Sequence, residues 1–123
     1  VVIDDHCTGS RYFWNEVVKE DDRIKAIAKR YLDRTPCPNK DFPEYRRFKV
    51  ILDFIEDYRV DGAILIQQKF CDPHEIDIPP LKKLLEENGI PTYFLEFDVT
   101  VPIGQFKIRI EAFLEMLKAE TLF

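Results

Sequence analysis

Short apolar runs alternate with stretches of helical period along this chain, and that alternation leaves few folds open. Val1–Ile3, Ala63–Gln67 and Thr92–Phe97 are rich in β-branched and aromatic residues and read as strands. Ile24, Ile27, Ala28, Tyr31 and Leu32 recur at helical spacing, which predicts a helix over about Asp21–Asp33 with two acids in its first turn. Phe48, Ile51, Leu52 and Ile55 follow the i, i+3, i+4, i+7 pattern and predict a second helix over about Glu44–Tyr58. Pro79 and Pro80 suit a helix start, Leu81, Leu84 and Leu85 supply its buried stripe, and Gly89 and Pro91 end it. Ile110, Phe113, Leu114 and Leu117 mark a last helix from near Gly104. The stretches "HCTGSRYFW" and "RTPCPNKDFP" read as loops, on their turn residues and prolines.

Strand, two helices, strand, helix, strand, helix is the order of an α/β fold with a parallel sheet and right-handed crossovers. The expected architecture is a three-layer, flavodoxin- or Rossmann-like sheet with helices on both faces. Three strands are few for such a sheet, so a strand–helix unit upstream of residue 1 is expected. The length of 123 residues suits a single α/β domain that buries a core without disulfide staples.

Composition narrows the functions. A formal net charge of −5 argues against a general nucleic-acid binder, which needs a basic face. No apolar run approaches the roughly 18 residues of a membrane span. Cysteines at 7, 37 and 71 are odd in number and widely spaced. That is no disulfide framework, and a reducing, cytoplasmic setting is expected. No phosphate-binding loop and no G-x-G-x-x-G pattern occurs, and four glycines leave little room for one.

Ligands of open parallel sheets bind at the carboxyl ends of the strands. Three segments should converge there: Asp4-Asp5-His6-Cys7, Lys69-Phe70-Cys71-Asp72 and Glu96-Phe97-Asp98. Cys71 has three readings. It is a small apolar filler, a thiolate metal ligand, or part of a zinc or thiol site with Cys7, His6 and His74. Lys69 and Asp72 flank it, which favours a functional position over a core one. The C-x-x-H spacing to His74 supplies only two of the four ligands zinc takes. Cys7 has two readings: a residue of an ordinary polar turn, or part of a loop whose backbone amides and Arg11 face an anion, such as a phosphate or a thioester carbonyl. Cys37, between two prolines, reads as structural or incidental, and the charges of "KKLLEEN" and "KRYLDR" read as solvated helix faces.

Five stretches in order carry a resemblance: "DDHCTGSRYF", "RYLDRTPCP", "YRVDGAILIQQKFCDP", "LKKLLEENGIPTYFLEFD" and "GQFKIRIEAFLEML". Together they cover nearly the whole chain. They resemble the C-terminal domain of the 2-hydroxyacyl-CoA dehydratase and benzoyl-CoA reductase family, in particular its 2-hydroxyglutaryl-CoA dehydratase D-component. One departure is Ile108, where the family pattern leads one to expect Thr.

The resemblance implies the C-terminal part of a subunit about three times longer that pairs with a second, different subunit. It implies an iron–sulfur cluster, [4Fe–4S], with one cysteine ligand from the loop matching Phe70-Cys71 and two from an upstream domain, so this segment alone would be inactive. It further implies an ATP-hydrolysing iron–sulfur activator that injects one electron. In the dehydratases that electron makes a ketyl radical from the 2-hydroxyacyl-CoA thioester, water leaves, and the electron is recovered. The reductase branch reduces the ring of benzoyl-CoA instead. Cys71 is then the metal ligand, and Cys7 and Arg11 line the substrate crevice. Two other readings stand beside this one: a non-catalytic flavodoxin-like interaction module that docks a partner on its sheet edge, and the small zinc or thiol site.

Overall fold

A computed structural model describes residues 10–13, 15–37, 41 and 43–120. The chain divides into two compact units, Val1–Ile51 and Leu52–Phe123. The expected strand at Val1–Ile3 lies outside the described residues.

In the first unit, α1 is a single helical turn, Ser10–Phe13, inside a stretch expected to be all loop. α2 spans Arg23–Leu32. The Asp22 side chain caps it by accepting a hydrogen bond from the Lys25 N–H at 3.0 Å, which satisfies one of the amides that a helix start leaves over. Only Ala26 of α2 is buried, while Ile24 and Leu32 are 76% and 83% exposed. The periodicity therefore locates this helix without giving its packing. α3 runs over Arg46–Tyr58, and the boundary between the units falls within it, after Ile51. Asp41 is fully buried upstream of α3, where its carboxylate accepts from the Arg47 N–H at 2.8 Å and from Arg46 Nε at 3.3 Å. An anion at a helix N-terminus complements both the spare amides and the helix dipole.

The second unit holds the sheet. β1, Ala63–Gln68, and β2, Thr92–Phe97, pair in parallel from Ala63↔Thr92 to Gln68↔Phe97. The 16-residue helix α4, Asp72–Glu87, connects them and packs against both, and α5, Ile103–Glu120, follows β2. The α/β class and the parallel pairing are thus as expected.

Parallel partners point to the same side, so Ile64 and Ile66 share a face with Tyr93, Leu95 and Phe97. α5 covers the β2 part of that face: Phe113 stacks on Tyr93 at 5.5 Å and Phe106 meets Phe97 edge-on at 6.4 Å. Phe113 and Leu117 also close over Gly62, where an added Cβ would come within 3.0 Å of Leu117 and 3.1 Å of Phe113. Leu65 and Gln67 point the other way and are buried as well. The core of the unit is Leu65, Ile78, Leu81, Leu85, Leu95 and Phe113. Ile64 and Ile66 remain 37% and 55% exposed.

One helix boundary differs from expectation. α4 begins at Asp72, and Pro79 and Pro80 lie inside it. Pro73 takes the early-helix place where a missing N–H costs nothing, and Asp72 and Glu75 supply acids to the first turn. The buried positions Asp77, Ile78, Leu81 and Leu85 continue past the prolines, so packing holds a helix that propensity alone would break. The other end is as expected. Gly89, at φ +73°, donates to the Glu86 carbonyl at 3.0 Å, and Ile90 N–H reaches the Leu85 carbonyl at 2.9 Å. This is the paired bonding of a Schellman stop, whose left-handed residue glycine adopts without a Cβ clash.

Candidate functional site

Because β1 and β2 are parallel, their carboxyl ends open at one edge of the sheet. The ladder runs one step further there, with Lys69 N–H donating to the Phe97 carbonyl at 2.9 Å. The chain then turns sharply, and Cys71 N–H closes the turn on the Gln68 carbonyl at 3.2 Å. The third residue of this turn, Phe70, sits at φ +65°. For a bulky side chain that conformation costs on the order of 1 kcal/mol or more. Glu75 offsets part of the cost by reaching back from the first turns of α4 to accept from the Phe70 N–H at 3.2 Å. The Phe70 ring itself is 86% exposed.

Cys71 is the N-cap residue of α4. Its carbonyl accepts from the amides of His74 at 2.9 Å and Glu75 at 3.0 Å, while its side chain makes no capping hydrogen bond. The thiol is free and half-buried. It sits next to a strand end, not among the core residues, and it is fixed by main-chain bonds on both sides. Its burial is partial, unlike that of the core residues. The residues fit one contribution to a metal centre and not a whole ligand set. Among the described residues, no three His, Cys, Asp or Glu side chains gather to hold a metal ion. His74 lies one turn into α4, three residues from Cys71. His6 and Cys7, the remaining candidates, lie outside the described residues. At the β2 end, Asp98 turns its carboxylate onto the Val99 N–H at 2.7 Å.

Arg11 belongs to the first unit. It is half-buried, its Nε donates to the Thr35 carbonyl at 2.9 Å, and its guanidinium lies 5.0 Å from the Tyr12 ring centroid. Cys37 is a free, half-buried thiol in the same unit.

Sequence reasoning passed over three features. Phe70 and Glu75 shape the turn that presents Cys71, and only the flanking position of Phe70 hinted at it. The "KRYLDR" stretch is more than a solvated face. Arg30 donates to the main-chain carbonyls of Asn15, at 2.9 Å, and of Tyr12, and Arg34 lies against Tyr12 and Tyr31. The Arg-Tyr pair repeated at 11–12 and 30–31 was the available signal. "KKLLEEN" behaves as read, with i, i+4 ion pairs Lys82–Glu86 and Lys83–Glu87 on an open face.

Residues 1–117 match the family described as 2-hydroxyglutaryl-CoA dehydratase, D-component, and the chain belongs to that family. It is 32% identical over 118 residues to the (R)-phenyllactyl-CoA dehydratase beta subunit of Clostridium sporogenes, covering 95% of this chain and 31% of the relative. It is 32% identical over 78 residues to the (R)-2-hydroxyglutaryl-CoA dehydratase subunit beta of Acidaminococcus fermentans, covering 63% and 21%. It is 28% identical over 119 residues to the lactoyl-CoA dehydratase subunit beta of Anaerotignum propionicum, covering 95% and 32%. The chain thus spans about a third or less of the length of these relatives. Among the described residues, no helix is long and apolar enough to cross a membrane.

Proposed function

We propose that this chain is the C-terminal part of a 2-hydroxyacyl-CoA dehydratase subunit and that Cys71 is its one ligand to a [4Fe–4S] cluster. The observation that carries the reading is the state of the thiol: free, half-buried, uncommitted to capping, and presented where strand β1 ends. The strand and the first turn of α4 hold its backbone from both sides, which limits the reorganisation needed when a metal is bound. The cluster, when bound, supplies one-electron chemistry to the acyl-CoA thioester. The protein's own part is to fix the sulfur and to set the hydrogen bonding around it.

Dehydration is favoured over ring reduction because the matched relatives carry the names of dehydratase subunits. A second subunit and an ATP-hydrolysing iron–sulfur activator complete the assembly. A flavodoxin-like three-layer sheet accords with buried side chains on both sides of the β1–β2 pair. Cys7 and Arg11 remain the candidates for lining the substrate crevice. The interaction-module reading has one observation in its favour, the exposed Ile64 and Ile66 on β1, which suit a docked partner.

The test is anaerobic reconstitution with iron and sulfide of the subunit that carries this segment. Cys71→Ala is expected to lose most of the cluster iron and its visible absorption, and Cys37→Ala to keep both. Equal iron in the two variants would overturn the assignment and leave the interaction module as the better reading.

A further inference from the structure

The turn that presents Cys71 is held in a conformation its sequence disfavours. Phe70 sits at φ +65°, a region that glycine enters without a Cβ clash and phenylalanine does not. Packing does not hold it there, since Phe70 is 86% exposed. Strain of this kind persists where the surroundings impose it.

Glu75 is placed to impose it. Its carboxylate accepts from the Phe70 N–H at 3.2 Å, and its own N–H donates to the Cys71 carbonyl at 3.0 Å. One residue therefore grips the Phe70-Cys71 dipeptide at its first amide and at its last carbonyl. Helix starts commonly use the N-cap side chain to satisfy a spare amide. At α4 the N-cap is Cys71, and its thiol makes no such bond. In a capping box a carboxylate reaches from the third helical residue to the N-cap amide. Here it starts one residue later and ends one residue earlier, so the amide it takes is that of Phe70. The helix start is fastened, and the sulfur stays uncommitted.

We propose that Glu75 is the positioning residue of Cys71. By keeping Phe70 in the left-handed region it fixes where the thiol stands at the strand end, without engaging the sulfur. Released from the clamp, Phe70 relaxes to negative φ and the backbone that carries the sulfur turns with it. Resting on the function proposed above, the clamp holds the thiol ready for iron, so that little ordering is left to be done on binding.

Iodoacetamide labelling of the metal-free subunit, read from the mass of the Cys71 peptide, tests the clamp with no cluster present. Glu75→Ala is expected to speed labelling about fivefold, the order of the backbone preference released. Glu75→Gln, which removes the charge and keeps an accepting oxygen, should recover most of the difference. Glu75 is exposed, so neither variant disturbs the core. In a Phe70→Gly background the left-handed conformation needs no clamp, and Glu75→Ala should then change little. In Phe70→Ala, which removes the ring and keeps the Cβ, the full effect of Glu75→Ala should return. After reconstitution, Glu75→Ala should release iron to a chelator faster than the unsubstituted subunit, again with recovery in Glu75→Gln. Equal labelling of the glutamine and alanine variants would assign the effect to charge beside the thiolate and overturn the proposal. An alanine effect undiminished in the Phe70→Gly background, or iron release unchanged in Glu75→Ala, would overturn it as well. Failure of the dehydratase reading shows separately, as iron retained by Cys71→Ala, whereas the labelling needs no metal.

Discussion

The two compact units are held by different forces. In Leu52–Phe123 the order comes from apolar burial: Leu81 and Leu85 from α4, Leu65 and Leu95 from the strands, and Phe113 from α5. In Val1–Ile51 the buried apolar residues are Ala26 and Phe48 among those described, and most of the long-range ties are polar. Arginines reach across to carbonyls, and a buried Asp41 anchors the start of α3. The charges divide in the same way. Residues 1–51 carry 11 Lys and Arg against 9 Asp and Glu, and residues 52–123 carry 7 against 14. Apolar burial makes a unit that tolerates surface change and not core change. Polar ties make one in which a few specific groups matter and the exposed apolar ones do not.

Three substitutions sharpen that contrast, each read from urea denaturation. Leu85→Ala empties a site that is 1% exposed in the second unit, and a loss of about 3 kcal/mol is expected. A cost below about 1 kcal/mol would mean that the second unit is not organised around this core. Asp41→Ala removes the carboxylate that satisfies the Arg47 N–H in the first unit, and about 1–2 kcal/mol should be lost. Asp41→Asn, which keeps an accepting oxygen, should recover most of it. Leu32→Ala, at a position 83% exposed, is expected to shift stability by less than about 0.5 kcal/mol. A larger effect there would show that the exposed face of α2 is covered in solution, and the contrast between the units would lose its simplest form.

The second unit was the more legible in sequence. Ala63–Gln67 and Thr92–Phe97 announce strands by composition, and the Gly89 stop and the Leu81–Leu85 stripe follow from local rules that packing reinforces. The start of α4 was misread because a proline pair is a strong local signal, and the packing that overrides it, from Ile78 to Leu85, is a tertiary effect. The first unit was less legible because its ties are not periodic. No spacing rule says that Arg30 will find the carbonyl of Asn15 or that Arg34 will settle between two tyrosines. At the candidate site, the position of Cys71 after β1 was readable. The left-handed Phe70 was not, because nothing in the local pattern marks a phenylalanine for a glycine conformation.

Two adjacent residues without amide hydrogens interrupt α4 at two successive rungs, so the carbonyls of Glu75 and Ile76 lose their helical donors. The helix crosses that gap on its buried side chains, Asp77 and Ile78 before the prolines and Leu81 and Leu85 after them. The turns around the thiol add their own fastenings, the Cys71 carbonyl and the Glu75 carboxylate. The place of the sulfur is therefore secured twice, by the turn at its own end and by packing where the ladder is broken.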